Sequence, residues 1–359
     1  MAKLKVGVLG ATGMVGQSYI ALLKDHPWFE VSFLAASERS AGKRYEEAVE
    51  GRWHFEKDIP EGVRGLLVHS IEEMGEARKT CDFVFSALDA AVAKEWEERY
   101  AEAGVPVVSN SSAHRWDEDV PMIIPEINPD HLKIIPIQRK KRGWDRGFIA
   151  VKPNCSLQSY LIPLFPLHKE FTLKAVIVTT MQAISGAGYP GVASFDIIDN
   201  IVPYIRGEER KSEREPRKIL GRIEGDLIVE EKGIVISAHC NRVPVIDGHL
   251  ACVSVAFESK PTREEILEIW REFRGVPQEL SLPFAPEQPI IYREEVARPQ
   301  PRLDRDKGKG MAVTVGRLRE CNVLNYRFVA LSHNTIRGAA GGGILIAELL
   351  KERGFFNNL

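Results

Sequence analysis

Residues 4–16 read LKVGVLGATGMVG, an apolar run that leads directly into three spaced glycines. The run has the composition of a buried β-strand, and the apolar positions between Tyr19 and Leu23 are spaced as in a helix. A glycine turn between a buried strand and a helix places backbone N–H groups and the positive helix end against a pyrophosphate. The stretch therefore predicts a dinucleotide-binding unit, although its spacing is G-x-x-G-x-x-G and not the commoner G-x-G-x-x-G.

The end of the second predicted strand, Val31–Ala36, indicates which dinucleotide binds. Enzymes that use NAD usually carry Asp or Glu there for the ribose hydroxyls. This chain has Ser37, followed by Arg39 and Ser40, so hydroxyl and guanidinium donors are available for a 2′-phosphate. The sequence therefore favours NADP over NAD. Glu38 argues against this unless it points out of the pocket, and a polar turn without a cofactor role is the alternative.

Short apolar segments continue the same alternation of strand and helix. Residues 81–88 and 106–110 read as strands, with a helix over 91–103 between them. Repeated units of this kind imply a parallel, doubly wound sheet of the Rossmann type, with ligands at the carboxyl ends of its strands. The residues expected at that mouth are Ser86, Asn110 and Ser111.

The pattern of predicted helices and strands changes near Pro153. A helix and then several strands separated by charged helices follow, which is typical of an α+β domain with a mixed sheet. We therefore predict an α/β protein of two domains. Residues 1–152, completed by a C-terminal helix over 335–359, form the nucleotide-binding domain, and residues 153–334 form the second. The length of 359 residues and a hydrophobic content of 44% suffice for two cores.

The charge balance gives no global attraction to nucleic acid or to a membrane, because 48 Lys and Arg face 50 Asp and Glu. One basic run, residues 139–142, lies close to Trp144, and RNA binding is an alternative to a solvated surface loop there. The surface loop is favoured because the neighbouring segments carry no further basic excess. A strand in place of a signal peptide and the absence of a long apolar segment predict a soluble protein.

Five cysteines without paired spacing argue against a disulfide framework and against a metal site. We therefore expect a reduced, cytoplasmic protein that binds no metal. Cys155 lies in KPNCSL, residues 152–157, where a strand is expected to turn into a helix. Backbone amides in such a turn can ionise a thiol, which then serves as a nucleophile. A small buried hydrophobic residue is the alternative for any single cysteine.

Several motifs along the chain resemble those of one enzyme family. They are GATG at 10–13, SNSS at 109–112, PNCS at 153–156, QAISGAG at 182–188, EERK at 208–211, RVPV at 242–245 with His249, and HNT at 333–335. In this order they resemble aspartate-semialdehyde dehydrogenases, most strongly the branch found in archaea and fungi. The resemblance covers essentially the whole chain, and motifs in register are far more specific than any one of them.

The resemblance implies an NADP-dependent enzyme that interconverts L-4-aspartyl phosphate and L-aspartate 4-semialdehyde, a step toward lysine, threonine, methionine and isoleucine. The Cys155 thiolate would attack the acyl phosphate and release inorganic phosphate. Hydride from NADPH would then reduce the resulting thioester to a thiohemiacetal, which collapses to the aldehyde. The resemblance also implies a second domain that is both catalytic and a dimerisation domain, and a homodimer or homotetramer.

Arg242 and His249 are expected at one end of a β-hairpin, because a turn containing Asp247 and Gly248 joins two apolar strands. The resemblance implies that His249 is the acid and base for the thiol and thiohemiacetal protons. It also implies that Arg242 binds the substrate α-carboxylate through two hydrogen bonds. Without the resemblance, a histidine such as His249 would be read as an ordinary surface or core residue.

The remaining site residues follow from the resemblance. Gln182 would orient the substrate or its oxyanion, and Asn154 would add a donor near the reacting carbonyl. Glu208 would bind the substrate ammonium, with Glu209 as a competing candidate in the same charged helix, where a solvated face is the alternative. The phosphate would be held by Lys211, Arg115 and Asn110. The expected cofactor contacts are Gly10, Thr12, Gly13, Met14, Val15, Ser37, Arg39, Ser40, Ser86, Ala87, Ser185, Gly186 and Asn334.

Two other functions stay open. A malonyl-CoA or succinyl-CoA reductase would use the same cysteine, but its substrate has no ammonium for Glu208. A non-catalytic NADP-binding regulator is the second alternative. The combination of Cys155, Gln182, Arg242 and His249 argues against it.

Overall fold

The computed structural model describes residues 2–356 of the chain. The strands are β1 (Leu4–Leu9), β2 (Phe29–Ala36), β3 (Val68–Ser70), β4 (Phe83–Ser86), β5 (Val107–Ser109), β6 (Ile149–Val151), β7 (Leu173–Gln182), β8 (Arg222–Glu224), β9 (Leu227–Val229), β10 (Val235–Arg242), β11 (His249–Phe257), β12 (Ile290–Arg293), β13 (Val313–Glu320) and β14 (Tyr326–Ser332). The helices are α1 (Met14–Leu23), α2 (Tyr45–Ala48), α3 (Glu61–Arg64), α4 (Met74–Thr80), α5 (Ala90–Glu102), α6 (Ile135–Arg142), α7 (Gln158–Phe171), α8 (Ser194–Ile197), α9 (Glu208–Ile219), α10 (Arg263–Glu272), α11 (Val276–Glu279), α12 (Pro301–Asp304) and α13 (Gly341–Glu352).

The first six strands form one parallel sheet in the order β3-β2-β1-β4-β5-β6. Residues 6–9 of β1 are all buried, as expected for a parallel strand that is covered by helices on both faces. The strand order reverses between β1 and β4, and dinucleotides bind in the crevice at such a reversal. The predicted Rossmann-like sheet is confirmed.

The second large sheet is mixed, as predicted, and its order is β10-β7-β11-β14-β13-β12. The predicted hairpin between β10 and β11 is wrong, because β7 lies between these two strands. The connection over 243–248 crosses the end of β7, where the Val243 N–H donates to Gln182 O at 3.0 Å. β10 runs parallel to β7 and β11 runs antiparallel, so Gln182, Arg242 and His249 still meet at one end of the sheet.

The C-terminal helix α13 packs against α1 and β5 of the first sheet. Residues 341–350 of this helix are all buried. A Cβ on Gly343 would lie only 1.9 Å from Tyr19 Oη, so glycine permits the two helices to approach closely. The domain boundaries remain a prediction, and residues 357–359 of the predicted C-terminal segment lie outside the described residues.

The basic run belongs to α6, and two of its cations are used within the fold. Arg139 donates to the Arg146 carbonyl at 2.6 Å. Arg142 donates to both Asp119 oxygens, at 2.7 and 2.8 Å, and its guanidinium lies over the Trp144 ring. These contacts engage two of the four cations of the run and the neighbouring ring within the fold, which favours the surface interpretation over RNA binding. No helix within residues 2–356 is long and apolar enough to cross a membrane.

Candidate active site

A cavity of about 400 Å³ lies where the carboxyl ends of the β1, β4 and β5 strands face the end of β7. Cys155 lines it, just before α7, so the nucleophile candidate sits between the two sheets. The predicted site residues that line the cavity are Met14, Val15, Asn110, Arg115, Asn154, Cys155, Gln182, Ser185, Gly186, Glu208, Lys211, Arg242 and Asn334. The structure therefore brings together most of the residues that are far apart in the sequence.

Cys155 and His249 form a contact pair, with 3.4 Å between Cys155 Sγ and His249 Nε2. The other ring nitrogen, Nδ1, accepts a hydrogen bond from the Ala183 N–H at 3.1 Å. A nitrogen that accepts a hydrogen bond carries no proton, so the neutral ring has its proton on Nε2. The backbone at Ala183 thus sets the tautomer and points an N–H at the sulfur.

His249 is completely buried. Burial and the neighbouring Arg242 lower the pKa of His249 well below its ordinary value. The ring is therefore neutral near pH 7. In this state Nε2 can stabilise a thiolate, and it can give its proton to a developing alkoxide.

Cys155 does not have the low pKa that the turn alone suggested. Burial and the carboxylate of Glu208 raise the pKa of the Cys155 thiol, while Lys152, Arg115 and Arg242 act in the opposite direction. The thiolate therefore depends on cationic side chains around it and not on backbone amides alone.

Glu208 occupies the first turn of α9 and points into the cavity. Its carboxylate accepts from Asn154 Nδ2 at 2.9 and 3.0 Å and from Lys211 Nζ at 2.8 Å. Glu209 instead accepts a hydrogen bond from the Cys240 N–H at the edge of the sheet, at 3.3 Å. The sequence left open which of these two residues points its carboxylate into the cavity. In the structure this residue is Glu208.

Glu215 is a functional candidate that the sequence analysis missed. Its fully buried carboxylate accepts from Arg115 Nη1 at 2.9 Å and from the Asn154 N–H at 2.6 Å. One side chain of α9 thus holds both a cation of the cavity and the backbone next to Cys155.

Lys218, also on α9, holds the loop that carries Arg115. Its Nζ donates to the carbonyls of Arg115, Asp117 and Val120 at 2.9, 2.6 and 2.9 Å. The three N–H groups of the ammonium therefore each have a carbonyl acceptor. Burial lowers the pKa of Lys218 to about 8. The loop is fixed by this side chain.

Lys152 is a second missed candidate, three residues before the nucleophile. Its ammonium is buried and donates to the Pro153 carbonyl. Burial and the nearby Arg115 lower the pKa of Lys152 to about 7, whereas Cys155 raises it. Lys152 is thus a buried cation beside the reactive sulfur, poised to change charge near neutral pH.

Arg242 lies against a glycine that has no room for a side chain. Arg242 Nη1 donates to the Ala183 carbonyl at 2.7 Å. A Cβ on Gly186 would lie 2.8 Å from Arg242 Nη1 and 3.1 Å from His249 Nε2. Gly186 therefore leaves room for the predicted substrate-binding residue Arg242 and the predicted catalytic residue His249.

The glycine turn after β1 fits a dinucleotide. Gly10 has a φ of 75°, and a Cβ there would lie 2.7 Å from the Ala87 carbonyl. A Cβ on Gly16 would lie 2.2 Å from the Gly10 carbonyl oxygen. The turn therefore requires glycine at positions 10 and 16, and it brings the start of α1 to the reversal point of the sheet.

The end of β2 fits the 2′-phosphate of NADP. The buried hydroxyl of Ser40 has no hydrogen-bond partner among the described residues. Ser37 and Arg39 beside it are exposed, so their donors are accessible. An unpaired buried hydroxyl next to an accessible guanidinium is the donor set that a phosphate monoester needs.

Other predicted cofactor and phosphate residues already have protein partners. Asn110 Nδ2 donates to Tyr19 Oη at 2.9 Å, and the buried Asn110 Oδ1 has no hydrogen-bond partner within residues 2–356. Asn334 binds Gly248 N–H and Ser185 Oγ, both at 2.8 Å, so its amide ties two loops together. Thr12, Gly13, Ser86 and Ala87 lie outside the cavity lining, around the glycine turn and the end of β4.

One group of side chains in the described part of the chain has metal-ligand spacing, namely Glu98, His114 and Asp117. Arg142 donates to Glu98 at 2.9 Å and to Asp117 at 3.1 Å. A guanidinium therefore takes the place of a metal cation there.

Two family models match the chain. One is described as the NAD binding domain of semialdehyde dehydrogenases and matches residues 5–135, and the other is described as their dimerisation domain and matches residues 164–337. An aspartate-semialdehyde dehydrogenase from Archaeoglobus fulgidus is 49% identical over 345 residues, which are 96% of this chain and 97% of that relative. The chain belongs to the aspartate-semialdehyde dehydrogenase family.

The family resemblance extends to solved structures. The crystal structure of the aspartate-semialdehyde dehydrogenase from Candida albicans with NADP has a TM-score of 0.90 and 44% identity, over 99% of this chain and 100% of that one. The aspartate-semialdehyde dehydrogenase II of Vibrio cholerae has a TM-score of 0.75 at 26% identity, over 98% and 99% of the two chains. The two-sheet architecture therefore persists when most of the sequence has changed.

The sequence of α9 contains a pattern that could have indicated Glu215 and Lys218. Glu208 and Lys211 are three residues apart, and Glu215 and Lys218 repeat the pair seven residues later. Residues seven apart lie on the same face of a helix. Three of these four charged residues are buried in the structure, so the repeat marks an internal polar face.

Proposed function

We propose that the protein is an NADP-dependent aspartate-semialdehyde dehydrogenase. It would catalyse the reversible reductive dephosphorylation of L-4-aspartyl phosphate to L-aspartate 4-semialdehyde, in the biosynthesis of lysine, threonine, methionine and isoleucine. The observation that carries the proposal is the Cys155–His249 pair in a cavity that also presents Glu208 and Arg242. Family membership supports the proposal, because the similarity to the relative from Archaeoglobus fulgidus covers 96% of this chain.

The charges of the cavity match those of the substrate. Glu208 offers a carboxylate to the substrate ammonium, and Arg242 offers a guanidinium to its α-carboxylate. Arg115 and Lys211 provide two cations for the acyl phosphate and for inorganic phosphate. A CoA thioester such as malonyl-CoA has no ammonium for the carboxylate, so the amino-acid substrate is favoured.

The side chains then divide the chemistry. The thiolate of Cys155 attacks the acyl carbon, the carbon–oxygen bond to phosphate breaks with its electron pair passing to the phosphate oxygen, and a thioester remains. NADPH, when bound at the glycine turn, supplies the hydride that reduces this thioester. The Nε2–H of neutral His249 donates a hydrogen bond to the thiohemiacetal oxygen as negative charge forms there, and this oxygen re-forms the carbonyl when the carbon–sulfur bond breaks, so the aldehyde leaves and the Cys155 thiolate is regenerated. Asn154 and Gln182 provide donors for the oxyanion.

We further propose a homodimer or homotetramer in the cytoplasm. The second domain carries the match to the dimerisation domain of the family. Its mixed sheet exposes Ile177 and Val235, and the segment that follows β7 exposes Phe195 almost completely (99%). Apolar surface of this kind is typical of a subunit interface. Sedimentation of the protein with and without Phe195→Ser tests this proposal, because the variant should shift the mass toward the monomer.

The proposed function is tested by following NADPH formation from purified protein, L-aspartate 4-semialdehyde and NADP, with and without inorganic phosphate. Reduction that requires phosphate is the expected result, because phosphate must release the acyl group from Cys155. NADPH consumption with malonyl-CoA, and none with the semialdehyde, would transfer the assignment to the thioester reductases. Binding of NADP without either reaction would favour the non-catalytic regulator.

A further inference from the structure

The carboxylate of Glu208 occupies the donors that the reacting carbonyl needs. Asn154 Nδ2 lies 2.9 and 3.0 Å from its two oxygens, and Gln182 Nε2 lies 3.3 Å from one of them. Gln182 Nε2 also donates to Thr180 Oγ1 at 3.2 Å, so both of its hydrogens are in use. In the substrate-free protein these amides therefore face Glu208 and not an acyl oxygen.

The rest of the Asn154 side chain is fixed as well. Its Oδ1 accepts from the N–H and the hydroxyl of Ser156, at 2.9 and 2.7 Å. The amide can therefore redirect its N–H groups by a small rotation only after Glu208 releases them. Glu208, which is only 7% exposed, has no shell of water to compete for these bonds.

We propose that Glu208 couples binding of the substrate amino group to release of Asn154 and Gln182 toward the reacting carbonyl. This inference rests on the proposed function. An ammonium group brings three N–H donors and a positive charge, so both partners of its hydrogen bond to the carboxylate are ionised, whereas the amides contribute no charge. It therefore displaces the two amides from Glu208 and leaves them free for the acyl oxygen.

The same event prepares the nucleophile. After burial, Glu208 is the largest contribution that raises the pKa of the Cys155 thiol. Lys211 already contacts this carboxylate at 2.8 Å, and a substrate ammonium adds a second positive charge beside Glu208, which further favours the thiolate. Recognition of the amino group thus reaches the sulfur and the oxyanion donors through one carboxylate.

The coupling makes Glu208 a determinant of turnover and not only of affinity. An aldehyde with the same carbon chain but no amino group can still reach Arg242 and Cys155. Its carbonyl would meet amides that remain bonded to Glu208, so the chemical step slows. A carboxylate that acts only as an anchor would instead change KM and leave kcat for such an aldehyde untouched.

The experiment compares L-aspartate 4-semialdehyde with 4-oxobutanoate, which lacks the amino group, in the phosphate- and NADP-dependent oxidation. The proteins are the wild type, Glu208→Gln and Glu209→Gln. Glu209 is the matched control, because it lies in the same first turn of α9 and bonds to the sheet edge outside the cavity. A neutral glutamine holds Asn154 and Gln182 more weakly than a carboxylate does.

We expect the wild-type kcat for 4-oxobutanoate to be about 10- to 100-fold below that for the amino aldehyde, the usual range of coupling between sites. Glu208→Gln should raise kcat for 4-oxobutanoate by about 5-fold over the wild type and lower kcat/KM for the amino aldehyde by at least about 10-fold. Glu209→Gln should match the wild type. An unchanged or lower kcat for 4-oxobutanoate in Glu208→Gln overturns the proposal and leaves Glu208 as an anchor.

A second measurement avoids the variant, in case Glu208→Gln does not fold. Methylammonium chloride added to the wild type supplies the missing cation, so it should raise kcat for 4-oxobutanoate several-fold, whereas sodium chloride of equal ionic strength should not. No difference between the two salts overturns the coupling. Failure of the wild type to oxidise L-aspartate 4-semialdehyde in the presence of phosphate would instead overturn the proposed function itself.

Discussion

The substrate end of the cavity is formed mainly by charged side chains, whereas the cofactor end is formed mainly by backbone. At the substrate end, Glu208, Glu215 and Arg242 are buried side chains that already bond to other protein groups. At the cofactor end, the glycine turn is shaped by backbone, and the charged residue Arg39 is exposed to solvent. One end is thus a network of ionised side chains, and the other is a close-fitting stretch of main chain.

The difference follows from what each end must recognise. A pyrophosphate is bound by many weak backbone donors, so its site needs shape and tolerates little added volume. A small amino-acid substrate offers only a few charged groups, so its site needs side chains that are placed accurately and shielded from water. Substitutions at the two ends should therefore fail in different ways.

The largest effect is expected for Cys155→Ala, which removes the only atom that forms a covalent bond. Turnover should fall by at least about 10⁴-fold, while the NADP dissociation constant changes by less than about 2-fold. Cys321→Ala, in the turn between β13 and β14, is the control and should keep full activity. Steady-state rates and NADP fluorescence titration provide the two readings. Joint loss of turnover and NADP binding in Cys155→Ala would show that the two ends are not separable.

The next effect concerns Glu215→Gln, which leaves the buried guanidinium of Arg115 without its charge partner. We expect the free energy of unfolding to fall by about 3–5 kcal/mol, because an unpaired charge remains buried. Urea unfolding measures it. Glu224→Gln removes the exposed Arg222–Glu224 pair and should cost less than about 1 kcal/mol. If the two variants lose the same free energy of unfolding, the buried charge pairs at the substrate end contribute no more to stability than an exposed pair does.

Gly16→Ala tests the backbone end. Its Cβ would lie 2.2 Å from the Gly10 carbonyl oxygen, so the turn must open. Overpacking of this kind costs about 1–3 kcal/mol, and we expect it mainly as a weaker affinity for NADP, by about 10- to 100-fold. Gly75→Ala, where a Cβ meets nothing within 4 Å, is the control. If Gly16→Ala instead changes the reactivity of Cys155 toward iodoacetamide and leaves NADP binding unchanged, the cofactor end and the substrate end do not respond separately to substitution.

Lys152→Met tests the pH dependence of the substrate end. Burial lowers the pKa of Lys152 to about 7 in the folded state, whereas an unfolded lysine titrates near ~10.4. The unfolded state therefore holds more protons between these values, and wild-type stability rises with pH across this window. The variant should be more stable than the wild type by about 2 kcal/mol below pH ~7, with the gain vanishing toward pH ~10, and less active. The exposed Lys24→Met is the control, and its free energy of unfolding should stay within about 0.5 kcal/mol of the wild type.

The smallest effect is expected for Arg39→Ala, at the exposed rim of the cofactor end. Loss of one charge-assisted contact should raise KM for NADP by about 10-fold and leave KM for NAD unchanged. Arg64→Ala, an exposed arginine of the same sheet domain, is the control. A change of equal size for both coenzymes would place Arg39 away from the 2′-phosphate.

The sequence predicts the local features of this molecule well. The strands β1 and β7 follow from apolar runs of the right length, and the motif around Cys155 correctly marks the turn before α7. The insertion of β7 between β10 and β11 could not be predicted, because strand neighbours depend on long-range pairing and not on the connecting turn. The tautomer of His249 was equally hidden, since it is set by the backbone N–H of Ala183, sixty-six positions away.

The strand β10 forms one border of the mixed sheet, and two of its outward-facing N–H groups are already engaged by carboxylates. The N–H of Ala238 donates to Glu213 at 3.1 Å, and that of Cys240 donates to Glu209 at 3.3 Å. A foreign strand that approaches this border therefore finds these two donors occupied, an arrangement that disfavours edge-to-edge pairing. Strong acid, by protonating the two carboxylates, would weaken this cover and expose a surface on which fibrillar growth can begin.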